Sequence, residues 1–132
     1  MPIIVAQDDA IIRTAQVILD PDTDPDRQAG IADFYSVDLD DFDGFLAEIR
    51  GSAPGLFPAT FRMVDDQESF RDAIKDADGT ILESFIVGEE ELAAAPNLKI
   101  IQKFGVDLRN IDLDACARHN VVVKPLRRRV NV

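Results

Sequence analysis

From residue 59 onward, short apolar segments alternate with segments whose apolar residues recur at helical spacing. The apolar segments are bounded by glycine, proline or charged residues and predict β-strands. They cover residues 59–64, 79–83, 99–103 and 121–123. The segments between them predict helices at residues 67–75, 89–95 and 113–118. This alternation is typical of βαβ units, so we expect an open α/β domain built on a parallel sheet.

The predicted helices have apolar residues on one face, or residues at their ends that favour the start or end of a helix. Phe70, Ala73 and Ile74 are spaced to share one face of the first helix. The second helix begins with three glutamates, which suit the positive N-terminus of a helix. Asp112 can cap the third helix, and Asn120 stops it.

The first 58 residues are less regular. Their pattern predicts a strand at residues 3–6 and a helix near residues 11–19. A loop rich in Asp and Pro is expected at residues 20–26, and a further helix at residues 40–49.

The length and composition fit one domain. A chain of 132 residues with 46% hydrophobic residues can bury a core without disulfides or metal. No apolar run approaches the ~20 residues that a membrane span requires. The N-terminus has no basic segment before its apolar residues, so we interpret it as a strand rather than a signal peptide and expect a cytoplasmic protein.

The charge is strongly negative and unevenly placed. The net charge is −11, yet residues 103–132 carry 7 basic and 3 acidic side chains, against 7 and 22 in residues 1–102. An acidic body repels phosphates, so no nucleic-acid partner is expected, and the run Arg127, Arg128 and Arg129 does not reverse that.

Several reactive residue types have ordinary structural interpretations. Cys116 lies between two alanines in a helical pattern and is expected to be a small buried hydrophobe. His119 ends a predicted helix, where solvent exposure and the helix dipole explain it better than catalysis. A group of aspartates lacks the spacing of a calcium loop and is interpreted as a solvated helix N-terminus. These are Asp38, Asp40, Asp41 and Asp43.

Candidate chemistry lies where the strands end, because open α/β sheets bind ligands beyond the carboxyl ends of their strands. The segments concerned are residues 7–9, 65–66, 84–85 and 104–107. Gly105 lets the backbone turn sharply, which leaves the amides of Val106 and Asp107 free to face a carboxylate or phosphate. The alternative is a simple tight turn. The chain has no GxGxxG, GxxxxGK[ST], HExxH or GxSxG motif, so ligand binding is favoured over catalysis.

Residues 70–84, residues 91–106 and the segment Asn110-Ile111-Asp112-Leu113 together resemble the substrate-binding domain of the NAD-dependent D-2-hydroxyacid dehydrogenases. The resemblance covers residues 65–123. It implies a flavodoxin-like open parallel sheet with helices on both faces, in three layers. It also implies one substrate-binding domain over residues 1–132, with an irregular part at 1–58 and regular βα units at 59–124. Residues 125–132 are then a basic tail or the start of an interdomain hinge.

The resemblance also implies a function. In that family this domain faces a separate Rossmann domain, which carries the NAD or NADP site and the catalytic Arg, Glu and His. Backbone amides at the strand ends help to hold the carboxylate of a small 2-hydroxy or 2-keto acid. We therefore predict no catalytic, cofactor-binding or metal residues in this chain, and no activity by itself. The predicted substrate-binding residues are Ser84, Phe85, Phe104, Gly105, Val106 and Asp107.

The sequence departs from the family pattern at two places. The family usually has a second glycine where this chain has Asp107, and an acid where it has Arg109. A carboxylate at 107 would disfavour a ligand carboxylate by about 1–4 kcal/mol at ~4 Å. Either the side chain of Asp107 points away or the ligand differs.

Two other functions remain open. Asp8, Asp9, Ser84 and Lys124 follow the order of functional groups in a receiver domain, whose chemistry is Mg²⁺-assisted aspartyl phosphorylation. The third hypothesis is that the chain serves only in subunit association, as a homodimer in which the basic tail of one copy meets the acidic body of another.

Overall fold

The computed structural model describes residues 1–52 and 54–127. The strands of this described part are β1 (Ile3–Gln7), β2 (Thr60–Val64), β3 (Gly79–Leu82), β4 (Ile100–Lys103) and β5 (Val122–Lys124). The helices before β2 are α1 (Ile12–Leu19), α2 (Pro25–Phe34) and α3 (Phe42–Gly51). Those after it are α4 (Gln67–Ala73), which continues into a 3₁₀ turn (Ile74–Asp76), α5 (Glu89–Ala94) and α6 (Leu113–Arg118). Arg127 is the last described residue, so Arg128 and Arg129 of the basic run lie outside the description.

The strands form one five-stranded sheet in the order β2-β1-β3-β4-β5. The pairs β1–β3, β3–β4 and β4–β5 are parallel, with Val5 opposite Thr80 and Thr80 opposite Ile101. This is the strand order of flavodoxin-like proteins, so the predicted fold class is confirmed. In such a sheet the carboxyl ends of β1, β3 and β4 lie at the same edge.

By its internal contacts the chain divides into two compact units: residues 1–2 with 9–61, and residues 3–8 with 62 onward. The second unit contains a core of fully buried side chains. Phe70 stacks at 4.9 Å between ring centroids on Phe85. Cys116 is buried in the same core, as predicted, and burial raises the pKa of its thiol. The other large members include Val5, Ile74, Leu82, Leu92 and Ile101.

Two helices of the second unit begin at an aspartate cap, which the sequence predicted for Asp112. The carboxylate of Asp66 accepts a hydrogen bond from the Ser69 amide at 2.7 Å and opens α4. Asp112 does the same for the Ala115 amide at 3.0 Å and opens α6. At the other end of α6, Asn120 adopts a positive φ of 58°, which ends the helix before β5.

The first unit contains a helix that the sequence pattern did not predict. Residues 20–26 were expected to form a loop, but α2 begins at Pro25. The Asp24 carboxylate caps it by accepting from the Asp26 amide at 2.8 Å, and proline suits the first helical position. The residues interpreted as loop-forming therefore start a helix. α2 contains no buried residue, so it has no apolar periodicity that would reveal it.

Two members of the aspartate group lie at the start of α3, as expected: Asp41 and Asp43. Asp41 caps α3, where its carboxylate accepts from the Gly44 amide at 3.0 Å. From residue 1 to 127, leaving out residue 53, no helix is long and apolar enough to cross a membrane.

Candidate functional site

The candidate site lies in the second unit, at the edge where β1, β3 and β4 end. We call it the strand-end edge and define it as residue 7, residues 83–85, residues 103–107 and residue 110. Glu83, Ser84, Val106 and Asp107 are exposed there. Four of the six predicted substrate-binding residues, from Phe104 to Asp107, belong to the loop after β4, and Ser84 and Phe85 belong to the loop after β3.

Gln7, the last residue of β1, holds the loop after β3. Its Oε1 accepts hydrogen bonds from the amides of Glu83 and Ser84, both at 2.9 Å. Its Nε2 donates to the Ser84 Oγ at 2.7 Å. The hydroxyl oxygen of Ser84 is thereby occupied as an acceptor, and its O–H can be donated to a ligand.

Lys103 and Asn110 tie the loop after β3 to the loop after β4. Lys103 is 6% exposed, and its Nζ donates to the Glu83 carbonyl and, at 2.8 Å, to the Asn110 Oδ1. The Asn110 Nδ2 donates to the carbonyls of Glu83 at 3.0 Å and Phe85 at 2.7 Å. Every polar atom of the Asn110 amide group is therefore used to hold the two loops together.

Sequence reasoning did not identify Gln7, Lys103 or Asn110 as site residues. One signal was available for Lys103, because residues two apart in a strand share a face. Lys103 lies on the same face of β4 as Ile101, which is fully buried. A lysine on a core-facing position of a buried strand is uncommon and indicates a specific partner.

The loop after β4 turns at Gly105, whose φ is +151°. Its carbonyl accepts from the Leu126 amide at 2.9 Å, which anchors the loop beside the end of β5. The hydrogen bonds within the described part of the chain include none donated by the amides of Val106 or Asp107. These two donors are thus available to an anionic group at the strand-end edge.

Asp107 and Arg109 bind each other. Arg109 donates from Nε to the Asp107 Oδ1 at 2.9 Å and from Nη2 to Oδ2 at 2.6 Å, and its backbone amide also donates to Oδ1 at 3.0 Å. These bonds lower the pKa of the Asp107 carboxyl. The two departures from the family pattern therefore form one ion pair, in which the charge that Asp107 adds is compensated by Arg109.

Phe85 and Phe104 contribute through their backbone. The side chain of Phe85 is buried against Phe70, so only its main chain faces the strand-end edge, where its carbonyl accepts from Asn110. The amide of Phe104 donates to the Leu82 carbonyl at 2.8 Å and continues the β3–β4 ladder.

The acids at the other strand ends start helices. Asp66 caps α4, as described above. The carboxylate of Asp9 accepts from the amides of Ile11 at 2.8 Å and Ile12 at 3.3 Å, at the start of α1.

His119 lies at the end of α6, as expected, but it has a partner that the sequence did not suggest. Its Nε2 lies 2.6 Å from the Glu89 Oε2, and its side chain is half-buried. Glu89 begins α5, so this pair joins the two helices and lies apart from the residues of the strand-end edge.

Gly105→Ala is expected to destabilise the chain by about 1–2 kcal/mol, because side chains rarely adopt its φ. The space itself is open, since a Cβ there would meet only the Cε of Lys103 at 3.8 Å. Chemical denaturation measures the effect. The matched control is Gly30→Ala in α2, where nothing lies within 4 Å of the new Cβ and alanine should stabilise the helix by about 0.5–1 kcal/mol. Equal effects of the two variants would contradict this account of Gly105.

The Asp107 carboxyl should titrate below the ordinary Asp value of about 3.9. Because its pKa is lowered in the folded chain, the pair stabilises the fold above that value, and this contribution is lost as the pH falls through the folded pKa. The ¹³Cγ chemical shift of Asp107 measures the midpoint. In Arg109→Gln the midpoint should return toward the ordinary value, and an unchanged midpoint would remove Arg109 as the cause.

The strand order defines an open α/β domain, in which ligands bind beyond the carboxyl ends of the strands. The description "D-isomer specific 2-hydroxyacid dehydrogenase, catalytic domain" belongs to the family model that matches residues 50–125. This match covers more than half of the chain, and the chain therefore belongs to the D-isomer specific 2-hydroxyacid dehydrogenase family.

Individual relatives match either over about half of the chain or, for solved structures, over most of it at low sequence identity. The D-3-phosphoglycerate dehydrogenase of Mycobacterium tuberculosis is 42% identical over 65 residues, which are 47% of this chain and 12% of that protein. A solved 3-phosphoglycerate dehydrogenase of Entamoeba histolytica with bound NAD⁺ matches with a TM-score of 0.52 at 23% identity, over 93% of this chain and 32% of that one. The phosphoglycerate oxidoreductase of Vibrio cholerae matches with a TM-score of 0.53 at 19% identity, over 95% of this chain and 31% of that one. The solved structures support the fold, and this chain spans about a third of their length.

Proposed function

We propose that this chain is the substrate-binding domain of an NAD(P)-dependent D-2-hydroxyacid dehydrogenase-like oxidoreductase. In this proposal the amides of Val106 and Asp107, with the hydroxyl of Ser84, receive the carboxylate of a small 2-hydroxy or 2-keto acid. The observation that carries it is the Gly105 loop, in which the amides of two exposed residues donate no hydrogen bond within residues 1–52 and 54–127. Backbone amides that converge at a turn form a favourable site for a carboxylate.

The rigidity of the edge supports this proposal. A binding site depends on supporting residues that hold its donors in place before the ligand arrives. Gln7 accepts from the amides of Glu83 and Ser84, and Asn110 donates to the carbonyls of Glu83 and Phe85. The Asp107 side chain, which would otherwise repel a carboxylate, is held in its ion pair with Arg109.

The described residues do not fit a dinucleotide cofactor. The pyrophosphate of NAD binds at a helix N-terminus whose amides are free, next to a glycine-rich turn. In the second unit these positions are occupied by carboxylates of the chain itself: Asp66 at α4, Glu91 at the Gly88 amide before α5, and Asp112 at α6. We therefore place the cofactor and the catalytic Arg, Glu and His on a separate Rossmann domain, as the family implies.

An NMR titration with pyruvate, a monoanionic 2-keto acid, tests the binding part of this proposal. Pyruvate should shift the ¹H–¹⁵N signals of Val106 and Asp107 in a saturable way, because their amides become hydrogen-bonded. Hydroxyacetone, which lacks the carboxylate, is the control ligand and should leave them in place. If pyruvate moves neither signal at concentrations where salt controls are silent, the proposed function is wrong.

Addition of NADH tests the cofactor part. A chain without a dinucleotide site should show no saturable rise in melting temperature with NADH, because a ligand stabilises a fold only by binding to it. A clear saturable rise would contradict the assignment of the cofactor to a separate domain.

A further inference from the structure

Lys103 is a buried cation whose described partners are all neutral. Its ammonium donates to a backbone carbonyl and to the Asn110 side-chain oxygen. No carboxylate among the described residues forms an ion pair with it, although the chain carries 25 acidic side chains. Two of the three N–H groups of the ammonium are used by these partners.

Such a charge is unfavourable in a protein interior unless something compensates it. Removing an ammonium from water costs several kcal/mol, and neutral hydrogen bonds offset only part of that. A methionine or leucine at the same core-facing position would hold the strand without this cost. The charge at position 103 is therefore better explained by a bound anion that pairs with the ammonium.

The position of Lys103 indicates where that anion would lie. Its Cε lies 3.8 Å from the point that a Cβ on Gly105 would occupy, so the ammonium-bearing end of the side chain adjoins the loop that presents the amides of Val106 and Asp107. The positive charge of Lys103 also acts on the carboxyl of Asp107. It is a minor cause of the lowered pKa of that carboxyl, after the hydrogen bonds from Arg109. Because Asp107 and Arg109 compensate each other, Lys103 is the uncompensated charge on the β4 side of the edge. The carboxylate of Glu83, which is exposed, lies on the β3 side.

We propose that Lys103 is a determinant of ligand charge at the strand-end edge, where its ammonium provides the positive charge that the carboxylate of the ligand requires. This inference rests on the proposed function, because it concerns the carboxylate held by the Gly105 loop. It adds that the amides alone do not suffice and that the site selects an anionic acid over a neutral analogue of the same shape.

A purely structural role for Lys103 is the competing explanation. In that case Lys103 would only connect the two loops, and its removal would lower stability without changing the affinity of folded molecules. The two roles differ in what happens to pyruvate binding at a temperature where the variant is folded.

Pyruvate titration of three lysine variants separates these roles. Lys103→Met removes the charge and keeps an unbranched side chain of similar length, and we expect pyruvate to bind about tenfold more weakly or worse. Lys103→Arg keeps the charge and should retain more of the affinity than the methionine variant. Lys99→Met is the matched control, since it removes the same charge just before the opposite end of β4, where Lys99 is 78% exposed. It should bind pyruvate like the unchanged chain.

A measurement on the unchanged chain covers the case in which Lys103→Met does not fold. The ¹³Cε signal of Lys103 should move with pyruvate concentration and give the same dissociation constant as the Val106 amide. If the amides respond while this signal stays in place, or if Lys103→Met binds like Lys99→Met, the inference fails and the proposed function stands. If the amides of the unchanged chain do not respond at all, the proposed function fails, and this inference fails with it.

Discussion

Replacing Phe70 with alanine should lower the free energy of unfolding by about 3–5 kcal/mol, the largest stability effect that we expect from a single change in this chain. Phe70 is 0% exposed and lies at the centre of the second unit. Its loss leaves a cavity and removes the ring contact with Phe85, at 4.9 Å between centroids. Because Phe85 lies in the loop after β3, losing this contact should also loosen that loop. Equilibrium denaturation with urea measures the stability.

Phe34→Ala is the matched control for this prediction. Phe34 carries the same side chain but is 71% exposed in α2, so its truncation should change stability by less than about 1 kcal/mol. The two variants separate the effect of burial from the effect of losing a phenyl ring. A loss in Phe70→Ala no greater than that in Phe34→Ala would show that the described core is wrong.

Asn110→Ala should lower the free energy of unfolding by about 2–4 kcal/mol, because it removes three hydrogen bonds from the strand-end edge. One of them is to the buried ammonium of Lys103, which keeps only the Glu83 carbonyl among its described partners. The other two hold the carbonyls of Glu83 and Phe85. A buried charge that loses a partner is costly, so the effect should exceed that of an ordinary polar contact.

Asn97→Ala provides the comparison for Asn110. Asn97 is exposed, and its truncation should stay within about 0.5 kcal/mol. Asn110→Asp is a second variant, since it keeps an acceptor for Lys103 but gives that lysine a carboxylate of the chain itself. If Lys103 serves the ligand, this aspartate should compete with pyruvate and weaken its binding. Equal stability of Asn110→Ala and Asn97→Ala would mean that the two loops are not held as described.

Local patterns were sufficient to predict most of the secondary structure after residue 59. The strands and helices of that part lie within a few residues of their predicted bounds, because each has its own apolar pattern and α6 also has the predicted aspartate cap. The error at α2 has a local cause as well. Aspartate and proline favour both a loop and the first turn of a helix, and this helix buries no side chain that would decide between them.

Part of the strand-end edge was also open to prediction. The glycine after β4 and its two following amides were expected from the sequence, and the structure places them at the end of β4 with a positive φ at Gly105. Asp107 and Arg109 are two residues apart and carry opposite charges. Their ion pair could therefore have been predicted from the sequence, where both depart from the family pattern.

Local patterns were enough for the fold class, the family and the two loops that we propose as ligand-binding, because strand periodicity, helix caps and a turn glycine act within a few residues. The side chains that support those loops became visible in the folded chain alone. Gln7 meets Ser84 across 77 positions, Lys103 meets Glu83 across 20, and Asn110 meets Phe85 across 25. Such contacts depend on the order and register of parallel strands, which bring the ends of β1, β3 and β4 to one edge. For the same reason the unpaired charge of Lys103 became evident only once the residues around it were in place.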